Sequence, residues 1–187
     1  MKVSREQAEQ NRQRILDTAT RLFREHGFDG IGVADLMRAA GLTHGGFYGH
    51  FASKEDLIVQ ACQRALANSV TGWQKRVDAA PDHPLKAVSD GYLSARHLDQ
   101  PGTGCLLAAV GSDIARQPPS VRKAVTDGLR TSFDYLAKLF PGRTKAARQD
   151  KAMAMYATMV GGILLARAVD DHALAKNILR ATAESLG

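Results

Sequence analysis

The chain has 187 residues, 44% of them hydrophobic, which suits one or two domains with a substantial core. No stretch approaches the ~18 uninterrupted apolar residues of a membrane span, and the polar start MKVSREQAEQNRQRI does not read as a secretory signal, so a cytoplasmic protein with no membrane association is expected. The net charge of +6 suggests nucleic acid without establishing it, while two cysteines, Cys62 and Cys105, make neither a metal spacing nor a disulfide framework.

The elements read as helix almost throughout. Ser4 with Gln7 has the pattern of a capping box. Ile15, Leu16, Ala19, Leu22 and Phe23 then mark one apolar helical stripe that stops near Gly27. Val33, Leu36, Met37 and Ala40 repeat that spacing, and Gly41 is expected as a left-handed cap. Thr43 can cap a third short helix. Ser53 and Asp56 form another capping pair, opening a long helix to about residue 79. Breakers at Pro81, Pro84, Pro101-Gly102, Pro118-Pro119 and Pro141-Gly142 leave helical stretches at roughly 84–99, 104–117, 120–139 and 144–169. Asp170 and Asp171 precede a last helix ending near Leu186. No run alternates with period 2, so no sheet is expected. The prediction is an all-α fold of about nine helices, divided into 1–52, a helix-turn-helix unit of three helices, and 53–187, a larger helical body.

Two short helices joined by AAGLT suggest a helix-turn-helix, whose second helix enters the major groove and reads base edges from its N-terminal part. This explains an odd composition in GLTHGGFYGHF, because a glycine inside a helix costs roughly 1 kcal/mol relative to alanine. Gly45 and Gly46 clear the point of closest approach to a duplex. Phe47 and Phe51 share a face that can pack on Ile15, Leu22, Leu36 and Leu57, leaving Tyr48 and His50 to point toward phosphate oxygens. Gly49 has no role of its own beyond close packing or tolerance at a helix end. The charge excess lies elsewhere: residues 1–60 carry eight basic and eight acidic side chains, although residues 1–24 carry six basic against three acidic.

The segments RILDTATRLFREHGFDG and VADLMRAAGLTHGGFYGHFASKEDLI resemble the N-terminal domain of the TetR family of transcriptional repressors, over about residues 12–60. The resemblance implies a homodimer on a palindromic double-stranded operator, released when a small-molecule inducer enters the C-terminal body. Carried onto this chain, it sets Thr43, His44 and Gly45 against base edges, with Tyr48, His50 and Lys54 on phosphates, Lys54 aided by the helix dipole. Arg12 or Arg14 would reach the backbone from the first helix. Where the family usually has Thr-Thr or Thr-Ser, this chain has Ile31-Gly32, so one capping hydroxyl and its phosphate contact are missing.

In the body, GTGCLLAAVGSDIARQ places Cys105 at a helix start, where the dipole favours thiolate. The stretch resembles a TetR subgroup that includes the repressor responding to N-ethylmaleimide and related electrophiles, which implies a sensing role for Cys105; the alternative is a small buried residue at a helix junction. Cys62 reads as core. Trp73, Tyr92, His97, Phe133, Met153 and Tyr156 are candidate pocket residues, or plain core. Tyr156, Met159, Val160 and Ile163 form one stripe, and Leu174, Ile178 and Ala181 another; together they are expected to build a two-fold dimer interface through the last two helices, with Gly161-Gly162 allowing close approach. No Gly-x-Ser-x-Gly elbow, His-Glu-x-x-His helix, phosphate-binding glycine loop or paired metal spacing occurs, so neither enzyme activity nor a cofactor is expected. A helical protein-interaction adaptor is the other alternative.

Overall fold

The computed structural model describes residues 4–186; residues 1–3 and 187 lie outside the described part. Among the described residues the chain is all helix and loop. Its order is α1 (Arg5–His26), α2 (Val33–Ala39), a 3-10 helix (His44–Gly49), α3 (Lys54–Ala79), α4 (Pro84–Tyr92), α5 (Ala95–Asp99), a 3-10 turn (Pro101–Thr103), α6 (Leu106–Ile114), α7 (Pro119–Ala137), α8 (Lys145–Ala168) and α9 (His172–Glu184). No described helix is long and apolar enough to cross a membrane.

The helix ends follow local chemistry. The Ser4 hydroxyl accepts from the Gln7 amide at 3.1 Å, and Ser53 accepts from the Asp56 amide at 3.0 Å. Asp56 in turn accepts from the amide of Ala52, the residue before the cap, at 3.1 Å. Gly41 has φ +69°, with Leu42 N–H bonded to Met37 O and Gly41 N–H to Arg38 O. These are the paired bonds of a Schellman stop, which a side chain at Gly41 would strain.

Two apolar clusters hold the molecule. The first joins α1, α2, the 3-10 helix and the first half of α3, and runs on into α6 and α7 through Leu106, Val110, Ile114, Val121 and Val125. The packing therefore does not divide at residue 52. The second lies in the body around Trp73, Tyr92, Leu136, Tyr156 and Met159.

Four expectations change. The third helix of the head is wound as 3-10, not α. The stretch expected as one helix at 84–99 is two, because Ser94 restarts the chain by accepting from the His97 amide at 3.3 Å. Tyr156, Met159 and Ile163 do not face a partner: all three are buried in the protomer's own second cluster. Gly162 also serves contact within the chain, since a Cβ there would lie 2.7 Å from Thr182 of α9. The outward face of α8 is a rotation away, at Met153, Ala157, Gly161, Leu164 and Ala168, with Leu165 beside it. On α9, Leu174 and Ala181 are exposed and Ile178 is half-buried, as Val160 is on α8.

Candidate nucleic-acid interface and ligand cavity

The head presents the 3-10 helix as a thin outer layer on an aromatic support. Phe47 is 0% exposed and stacks on Phe51, ring centroids 5.8 Å apart. Tyr48, its neighbour, is 68% exposed and leans edge-on against Phe47 at 5.1 Å. Thr43 and His44 are exposed, while His50 and Lys54 are half-buried. Thr43 stands at the N-cap position with extended backbone, yet its hydroxyl makes no capping bond. Lys54 opens α3 directly after its Ser53 cap.

The glycines of this layer answer to no demand inside the chain. None of Gly45, Gly46 and Gly49 has positive φ. A Cβ at Gly45 or Gly49 would meet nothing within 4 Å, and at Gly46 only ordinary contacts to Met37 and Thr43 at 3.8 and 3.9 Å. Their smallness keeps the outer surface of this layer low.

The two arginines of α1 part company. Arg12 serves the head's own packing: it donates to Gln60 of α3 and its guanidinium lies 5.1 Å from the centre of the Phe51 ring. Within the chain Arg12 is thus already engaged. Arg14 is exposed. Gly32 occupies the N-cap of α2 with extended backbone and no side-chain bond, in keeping with the missing hydroxyl.

A cavity of about 270 Å³ lies in the body beneath the head, between α1, α3, α4 and the segment from α5 to α6. Trp73, Tyr92, His97 and Cys105 line it, together with Arg24, Arg76 and Arg96. Phe133 and Tyr156 stand behind this wall rather than in it. Tyr156 packs edge-on against Trp73 at 5.4 Å, and Phe133 lies 5.9 Å from Tyr156. Met153 is 42% exposed on the outside of α8, so it does not line a pocket.

His97 ties the cavity rim together. The Cys105 amide donates to its Nε2 at 2.8 Å, so that nitrogen carries no proton; Nδ1 must carry it and donate to Tyr92 O at 2.7 Å. Burial, with Arg167, Arg76 and Arg24 nearby, lowers the His97 pKa to about 4, so the ring is neutral near pH 7. Arg167 donates to the carbonyls of His97 and Leu98. Cys105 is buried at the N-cap of α6, its sulfur 3.3 Å from the Tyr156 hydroxyl. Cys62 is buried among apolar groups, which push its pKa up to about 12 and make it unreactive.

Residues 15–61 match the family model of bacterial regulatory proteins, tetR family. The match falls on the helix-turn-helix head, from α1 to the start of α3. Among relatives of the TetR head, the regulator AcrR of Shigella flexneri is 35% identical over 65 residues, covering 35% of this chain and 30% of AcrR. The repressor DhaR of Mycobacterium sp. strain GP1 is 28% identical over 111 residues, covering 59% and 56%. The chain thus spans between about a third and just over half the length of these curated relatives. Solved structures match over nearly the whole chain. The reduced form of E. coli NemR has a TM-score of 0.78 at 21% identity, covering 95% of this chain and 96% of that one. A TetR family regulator from Cytophaga hutchinsonii has the same TM-score at 22% identity, covering 100% and 96%. The TetR fold, with its N-terminal helix-turn-helix and helical C-terminal body, accounts for the whole chain.

The sequence reading missed the arginines of the cavity. Arg24, Arg76 and Arg96 stand on α1, α3 and α5, and no spacing connects them. The small residues that make room for their neighbourhood were the available signal: a Cβ at Gly91 would run into the Arg76 side chain, and one at Gly104 into His97.

Proposed function

We propose that the chain is a TetR-type transcriptional repressor that binds a palindromic operator as a homodimer and is released by a small molecule. The observation that carries this is the 3-10 layer: Thr43, His44 and Tyr48 exposed beside glycines that nothing within the chain requires, all inside the family-matched segment. Thr43 and His44 take base edges at the Gly45–Gly46 clearing, and Tyr48, His50 and Lys54 take phosphates. Arg14 adds a backbone contact from α1. The outward apolar face of α8 and α9, through Leu164, Leu165 and Leu174, supports a two-fold interface, since an apolar patch of this kind on a monomer is normally covered. The cavity of the body is the site for the inducer. A gel shift with the DNA upstream of the protein's own gene tests the reading. Specific retardation that weakens as salt rises supports it; indifference between that fragment and scrambled DNA supports the adaptor reading, and opposes this one.

A second mode of release is favoured by one observation, the placement of Cys105 at a helix N-cap with its sulfur against the Tyr156 hydroxyl. An electrophile or oxidant that modifies this thiol would disturb the contact between α6 and α8. N-ethylmaleimide should then release DNA from the wild type and not from Cys105→Ser; equal release from both discards the idea.

A further inference from the structure

The cavity has a charge character that its aromatic lining does not predict. Among its lining residues are three arginines and no aspartate or glutamate. Arg24, Arg76 and Arg96 form no ion pair among the described residues, although nine other pairs occur there. Arg24 uses one nitrogen on Gly104 O at 3.0 Å, and its Nε is buried with no partner. Arg76 is exposed and reaches only the Gly72 carbonyl of its own helix, at 3.3 Å. The Tyr92 hydroxyl is a third donor: Tyr92 is 6% exposed, lines the cavity, and its oxygen is buried with the Cys105 thiol beside it and no other hydrogen-bond partner. His97 offers nothing to a ligand here, because both ring nitrogens are already engaged.

Buried donors without acceptors are costly, and a guanidinium is shaped for a carboxylate. We propose that this cavity binds a small organic carboxylate, its anionic group on Arg24 and Arg76 and its apolar body against Trp73 and Tyr92. Burial lowers the Arg24 pKa, and the nearby Cys105 and Glu25 only partly offset it. The volume of about 270 Å³ lies just under the ~300–1,000 Å³ of sites for drug-sized ligands, so the ligand is small. An inorganic anion would meet only the arginines; a carboxylate with a flat or aliphatic body can also contact Trp73 and Tyr92, which line the cavity.

Arg24 also joins the cavity to the head. It follows Phe23, which belongs to the head's own core, and its bond to Gly104 fixes α1 to the segment leading into α6. At the same junction, Gly102 lies against Arg21 and Glu25 of α1. A carboxylate competing for Arg24 therefore acts on the helix that supports the DNA-reading layer. This coupling rests on the repressor reading; binding itself does not.

Trp73 is the single tryptophan of the chain and lines the cavity, so its fluorescence reports occupancy without DNA. Benzoate and hexanoate, titrated to millimolar concentration, should each give a saturable change, with benzamide about tenfold weaker than benzoate or worse. Arg24→Gln and Arg76→Gln should weaken benzoate and leave benzamide unchanged, while Arg24→Lys, which keeps the charge, should retain part of the affinity. Thermal melting of each variant confirms that it is folded. Equal response to benzoate and benzamide, no saturable response to either carboxylate, response to inorganic phosphate alone, or unaltered benzoate affinity in both glutamine variants would each overturn the proposal. In the DNA arm, benzoate should release operator from the wild type. If the protein binds no DNA at all, the repressor reading fails while the Trp73 titration still decides the cavity.

Discussion

Phe47 and Tyr48 are adjacent and take opposite parts. Phe47 is sealed in the head core, so Phe47→Ala should cost about 3–5 kcal/mol and lower the melting temperature sharply. Tyr48 is exposed, so Tyr48→Phe should leave melting almost unchanged and weaken DNA binding, as the loss of one phosphate hydrogen bond would; a titration beside a melt separates the two. His97 gives a pH prediction. Its folded pKa of about 4 lies below the ordinary 6.5, so the unfolded chain binds the extra proton between these values. The stability this provides is complete above about pH 6.5 and is lost as pH falls toward about 4. The wild type should therefore lose melting temperature more steeply across that window than His97→Gln. The shift comes from contacts that no local pattern encodes: His97 could be named as a pocket residue from its type, but its lowered pKa comes first from burial and then from Arg167, Arg76 and Arg24, which arrive from α8, α3 and α1.

At the scale of elements, what is local in sequence was legible. The Ser53–Asp56 cap and the Gly41 stop involve neighbours three to five residues apart, and both form as read. Removing the first with Ser53→Ala should cost about 1 kcal/mol, read as a lower midpoint in denaturant. The 3-10 winding of His44–Gly49 was not legible, because three glycines supply no preference that separates one tight helical winding from another. Periodicity in α8 was also insufficient. It found an apolar stripe at Tyr156, Met159 and Ile163, but two faces of this helix are apolar, and only tertiary contact decides that this one turns inward. The cavity arginines were invisible for a related reason: three residues on three helices share no spacing.

At the scale of the whole molecule, three regions meet in one chain: the exposed 3-10 layer proposed to read DNA, a cavity bordered by the same α1 that supports that layer, and an outward apolar face on α8 and α9. The last has its own test. Leu164→Glu, on the outward face, should shift the mass in sedimentation from dimer to monomer while leaving the helical signal intact, whereas Met159→Ala, facing inward, should lower stability. The first cluster runs from the head into α6 and α7, so the reading layer is mechanically continuous with the body that would house the inducer. The most direct measurement is an anisotropy titration of duplex DNA carrying the upstream region of the gene, across a salt series, with wild type and Gly45→Leu. The wild type should bind specifically, with log affinity falling linearly with log salt, and Gly45→Leu should lose most of that binding at unchanged melting temperature. Equal affinity of the two proteins would contradict this, because the glycine clearing would then not be where the duplex approaches.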